Sequence, residues 1–249
     1  MPNAVRLLAA PLLAFCIPVA AAAQEEGGPP AVDYPQLPQS APAARGFVPA
    51  GWRLEATASG DLDRDGRSDL AMVLRMNDAA NVLRNDGLCG ETLDTNPRIL
   101  AVALAQAGGG YRLGVQDQEL IPRRDNPCAS DWFAPEHLSI ERGTVSVSLE
   151  RFMSAGGWDM GTTSFTFRWE DDNLRLIGYD FSNMKRNTGD FSGVSINYLT
   201  GRAKLTRGRM DSDRETVRWV TLHSRRPLTI WSVGDGLAFD PENLISSLP

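Results

Sequence analysis

TSFTFRW, Thr163 to Trp169, puts Phe165, Phe167 and Trp169 on one face of an extended chain and Thr166 and Arg168 on the other. That is the period-two alternation of a half-buried strand. The next residues, EDDN, favour a turn, and LRLIGYDF then resumes the strand pattern. Working outward, the same unit recurs. ILAVALAQ faces YRLGVQ across the glycines 108 to 110, LSIE faces TVSVSLERF across Arg142 and Gly143, and SINYL faces AKLT across Thr200 to Arg202. These gaps suit hairpins and leave no room for the roughly 10- to 15-residue helices that connect parallel strands. The expected fold is therefore mainly β, with antiparallel hairpins or a meander forming a sandwich or a partial-propeller-like domain. A short C-terminal helix is expected where Asp240 can cap, Pro241 can take the first helical position, and Leu244, Ile245 and Leu248 can face the core.

The β-rich domain is expected over 46–249. Ahead of it, Met1 to Ala23 carries Arg6, an apolar run from Leu7 through Ala22, and small residues at Ala21 and Ala23. This is the layout of a secretory signal cleaved after Ala23, and it predicts a periplasmic or secreted protein. A lipid-anchored reading at Cys16 places the bulky Phe15 where a small residue is needed. Residues 24–45 hold five prolines and little apolar content, which predicts an extended, poorly ordered linker. No later stretch approaches the roughly 20 apolar residues of a membrane span. Export leaves Cys89 and Cys128 as an even pair, which predicts one disulfide closing a loop of about 40 residues. The formal net charge of −6 argues against a nucleic-acid partner.

One stretch demands a particular chemistry: GDLDRDGRSDL, residues 60–70. Asp61, Asp63 and Asp65 alternate along a tight loop, Gly66 permits the sharp turn, Arg67 can offer its main-chain carbonyl, and Asp69 adds a fourth carboxylate. A hard cation of calcium size satisfies such a set, and without it the carboxylates repel one another. An EF-hand would need a glutamate at its twelfth position, which here is Met72, and flanking helices. The flanks LEATASG and DLAMVLR read as strands instead.

GDLDRDGRSDLAMV resembles the calcium loop of FG-GAP or VCBS type repeats, in which a DxDxDGxxDL loop joins neighbouring strands of a propeller blade. The resemblance covers roughly residues 54–75 and implies calcium held by the side chains of Asp61, Asp63, Asp65 and Asp69 and the backbone oxygen of Arg67. No second copy of the loop follows, so a propeller of visible repeats is not expected. The chain is also similar to a group of uncharacterised exported bacterial proteins with one GDxxxDGxxDL loop, a run of hairpins and a late NYLTG segment, here Asn197 to Gly201.

Catalytic signatures are sparse. His137 and His223 sit beside no nucleophile motif, and the carboxylate pairs Asp171 with Asp172 and Asp211 with Asp213 fall in turn-like stretches. Among aromatics, Trp158 lies in the glycine-rich SAGGWDMGT, and Trp132 follows Cys128 closely. Both are candidate anchors for a protein or carbohydrate partner. The leading expectation is an exported calcium-binding β protein, non-enzymatic, acting through binding. Two rivals stay open: a periplasmic hydrolase of cell-wall or polysaccharide material, and an inhibitor or immunity protein of such an enzyme.

Overall fold

The computed structural model describes residues 28–224 and 226–248. The expected signal at 1–23, with Cys16, and the start of the linker lie outside them. In chain order the strands are β1 (Ser40–Ala41), β2 (Trp52–Gly60), β3 (Asp69–Met76), β4 (Val82–Arg84), β5 (Thr92–Asp94), β6 (Arg98–Ala105) and β7 (Tyr111–Asp117). They continue with β8 (Leu138–Glu141), β9 (Thr144–Phe152), β10 (Asp159–Glu170), β11 (Asn173–Lys185), β12 (Asp190–Asn197), β13 (Arg202–Arg209) and β14 (Glu215–Thr221). The protein is mainly β, as the alternation predicts. One sheet runs β1-β7-β6-β3-β2, a second runs β14-β13-β12-β11-β10-β9-β8, and β4 pairs with β5 apart from both. All pairings are antiparallel. The second sheet is a sequential meander that curls into a half-barrel, and the whole is sandwich-like.

The two sheets share one core. Val73, Leu100, Val102 and Val115 of the first meet Val147, Phe165, Phe167 and Tyr179 of the second. In β10 every second residue of 163–167 points inward, and β11 alternates likewise except at a bulge between Leu176 and Gly178, after which Tyr179 turns in. The strands β3 and β6 behave differently: they are buried almost throughout, which explains the unbroken apolar runs LAMVL and ILAVALA.

Burial on both faces requires a cover on the outer side, and the cover corrects one expectation. The described part of the stretch read as a poorly ordered linker, 28–45, is packed onto the domain. Leu37 and Ala41 are buried with Phe47 against Met72, Leu74, Ile99 and Ala101. The Leu37 N–H donates to Gln116 Oε1 at 3.0 Å, Gln116 Nε2 donates to the Pro35 carbonyl at 2.8 Å, and β1 pairs with β7. Its few apolar residues suffice because the sheet supplies the rest of the apolar surface. The expected C-terminal helix is also corrected. Pro241–Asn243 forms a single 3-10 turn, with Glu242 and Asn243 at positive φ. Asp240 caps in another manner: its oxygens accept from the N–H groups of Ile245 (2.7 Å) and Ser246 (2.9 Å). Leu244, Ile245 and Leu248 do pack on the core, as their spacing predicts.

Candidate metal site

The acidic loop closes the β2–β3 hairpin, in which Gly60 is the register partner of Asp69. Both strand flanks form as the sequence predicts. At the loop's entry, a Cβ on Gly60 would lie 2.5 Å from Ile140, so only glycine lets β2 pass this close to β8. Leu62 then turns into the core, 2% exposed. It anchors a loop whose residues 63–68 face water. Gly66 has φ +84, the left-handed conformation the turn needs.

The carboxylates fold the loop around themselves. Asp61 Oδ1 accepts from the N–H groups of Arg64 (2.7 Å) and Asp65 (3.2 Å), and Oδ2 accepts from Gly66 (3.0 Å). Asp63 Oδ1 accepts from Asp65 at 3.2 Å, and Asp65 Oδ1 accepts from Arg67 at 2.8 Å. The result brings one oxygen each of Asp61, Asp63 and Asp65 within 4.8 Å of one another. Burial, followed by the charges of Asp69 and Asp61, pushes the Asp63 carboxyl above its ordinary value. A converging donor set made only of carboxylate oxygens fits a hard divalent cation.

Asp69 has a second task. It is fully buried, and its Oδ2 accepts from the Leu62 N–H at 2.7 Å while Oδ1 accepts from the Ala105 N–H at 2.8 Å. It therefore staples the loop's entry to β6, and it stands outside the group of three converging aspartates. Arg67 enters through its side chain as well. The guanidinium pairs with Asp65, and its Nε donates to the Ala105 carbonyl at 3.1 Å. It is a counter-ion built into the loop, a role the motif spacing does not reveal.

No family model, curated protein or solved structure matches the chain.

The remaining predicted residues are placed as follows. Cys89 and Cys128 form a disulfide, with Cα atoms 4.8 Å apart. Trp158 is 60% exposed and lies beside the Arg186 guanidinium, 5.8 Å from the ring centroid. Trp132 is half-buried, and its carbonyl accepts from the Glu150 N–H at 2.8 Å. The two indoles are not among the ring pairs of the described residues, so no joint aromatic platform forms there. His137 stands 3.4 Å from Glu150 and edge-on to Phe133. His223 is almost wholly exposed beside Glu242. Asp172, in the β10–β11 turn, lies 3.9 Å from Arg112 of β7, and Asp211 pairs with Arg209 at 2.9 Å.

Sequence reasoning missed the largest cluster of buried charge. Arg75 and Arg98 are register partners on β3 and β6, a placement that would be repulsive by itself. A bulge between Leu54 and Ala56 in β2 carries Glu55. Arg98 donates to Glu55 (2.6 and 3.1 Å) and to Asp131 (2.8 and 2.7 Å). Arg75 donates to Glu55 (3.2 Å), Asp131 (3.0 Å) and Asp94 (2.8 Å). Burial alone would raise the Asp131 carboxyl, but hydrogen bonds and charge from Arg98, with the charge of Arg75 and the Phe133 N–H, hold it below its ordinary range. The available signal was an arginine at the end of each fully buried strand, because a charge there needs a partner.

Proposed function

We propose that this is an exported, calcium-stabilised β protein that acts by binding a partner, with the ion holding a loop rather than entering chemistry. The observation that carries the calcium half is the convergence of Asp61, Asp63 and Asp65 to within 4.8 Å on a hairpin turn, anchored by Leu62 and Asp69. The loop resembles the FG-GAP or VCBS calcium loop in sequence, and the Cys89–Cys128 bridge suits an oxidising compartment. Beside the cavity of about 280 Å³ at Tyr198 and Phe239, Asp240 and Glu242 spend their oxygens on backbone N–H groups, which suits structure better than acid–base work.

The test is a thermal melt of chelator-stripped protein with and without calcium. A ligand at 100 times its dissociation constant stabilises the native state by about 2.7 kcal/mol, so the melting temperature rises with calcium. Asp63→Ala or Asp65→Ala erases most of that shift. Magnesium substitutes poorly, because it keeps its waters and demands a tighter octahedral shell. Identical melts at millimolar calcium and in chelator would overturn the assignment.

A further inference from the structure

The outer face of the seven-stranded sheet carries a row of side chains that the core does not use. Ser148, Ser164, Asp180, Ser195, Lys204 and Trp219 lie on six adjacent strands, each the register partner of the next. Register partners project from the same side of a sheet. Their chain neighbours Val147, Phe165, Tyr179, Val194 and Leu205 are buried on the opposite side. Five inter-strand steps of about 4.8 Å make the row roughly 24 Å long. Thr162 and Thr206 flank it on one side, and its middle opens into a trough of about 340 Å³.

We propose that this face binds a neutral polysaccharide chain, with Trp219 as its stacking platform; the inference rests on the binding half of the proposed function and is independent of calcium. Four observations support that occupant. First, five of the ten residues that line the trough are Ser or Thr and Gly193 adds no side chain, while Phe181 and Val194 supply apolar surface between the hydroxyls. A hydroxyl is both donor and acceptor, as are the hydroxyls of a sugar. Second, Asp180 has no hydrogen-bond or ion-pair partner among the described residues, and Lys204 reaches only Glu215 at 3.9 Å. Both can therefore orient a ligand. Third, these two charges are opposite and flank Ser195, and Glu215 and Arg202 beside them are opposite as well, so the face favours neither a polyanion nor a polycation. Fourth, Trp219 is the row's one aromatic residue and is 56% exposed. The Arg202 guanidinium lies 4.8 Å from its ring centroid, a cation–π contact that favours one placement of the exposed indole. A sugar ring has an apolar C–H face and a polar rim, and a flat aromatic beside hydrogen-bonding groups matches both.

The experiment is native affinity electrophoresis of the mature, calcium-loaded chain in gels cast with hydroxyethylcellulose, mixed-linkage β-glucan, galactomannan or dextran. Retardation in at least one gel is expected. Trp219→Ala, a change on an exposed strand edge, should weaken that retention about tenfold. Ser195→Arg should block the trough and abolish it, and Trp231→Ala, at an exposed indole outside this sheet, should leave it unchanged. Circular dichroism confirms that each variant is folded; if Ser195→Arg is not, Trp219→Ala decides. Unchanged mobility in all four gels overturns the proposal. So does retention of Trp219→Ala at parental strength, or retardation only in a gel containing heparin. Calcium-dependent melting is read separately, so a failed gel with a normal calcium shift refutes this site alone. A retarded band without any calcium shift refutes only the metal assignment.

Discussion

The molecule holds two concentrations of charge, and they are built in opposite ways. In the loop at 61–69, carboxylates that are near in sequence crowd together on the surface, with one guanidinium, that of Arg67, among them. In the network of Glu55, Arg75, Asp94, Arg98 and Asp131, charges drawn from distant parts of the chain pair with opposite charges at little exposure of the arginines, although the buried Arg75 Nε has no hydrogen-bond partner among the described residues. The first cluster is left with electrostatic demand that an added cation can meet. The second has none to spare. A dense group of charges therefore marks a ligand site only when its own partners do not satisfy it.

The sharpest way to break that contrast is Arg98→Met. It strands Glu55 and Asp131 without their main partner, and it should cost about 3 to 5 kcal/mol in urea unfolding. The pH dependence has a definite sign. Asp131 is held below its unfolded value, so its contribution is complete above about pH 4, the unfolded range, and is lost as pH falls through the folded value. The gap between parent and variant should narrow in acid. A cost below about 1 kcal/mol would place the network with ordinary surface pairs.

Next in size is the disulfide, which ties the β4–β5 excursion to the segment that carries Asp131. The chain-entropy model gives about 3 to 4 kcal/mol for a loop of this length. Both sulfurs should resist alkylation until reductant is added, and rapid labelling of the native, unreduced protein is the contrary outcome.

The smallest effect sharpens the division inside the loop itself. In chelator, Asp69→Asn turns an amide N–H₂ toward a backbone N–H and should cost about 1 to 3 kcal/mol. Asp63→Ala in chelator should stay within about 0.5 kcal/mol, since it removes an exposed, repelled charge together with one long, exposed hydrogen bond to the Asp65 N–H. Equal costs would mean that Asp69 and Asp63 share one role.

The hairpins were legible because alternation is a local property. Phe165 and Phe167 announce their face without knowledge of what covers it, and the turns at Arg142–Gly143 and Asp171–Asp172 sit where the polar residues interrupt the pattern. The acidic loop was legible for the same reason: its oxygens lie within nine residues of one another, as the numbering 61–69 states. The double function of Asp69 was not, because one of its partners is Ala105, on another strand.

What the sequence determined alone was therefore everything set by near neighbours: the strands, their faces, the turn chemistry at Gly66, and the three converging aspartates. Only the tertiary structure decided what required distant chain to meet. It packed 37–41 over the outer face of β3 and β6, where the exposed apolar surface of the sheet outweighed a proline-rich, weakly apolar local composition. It brought Arg75 and Arg98 to Glu55 and Asp131, because buried charge must find its counter-charge wherever the fold supplies it. It also aligned six strands so that hydroxyls far apart in the chain form one polar row ending at Trp219. Register across a sheet is set by the packing of its inner face, and the outer face inherits it.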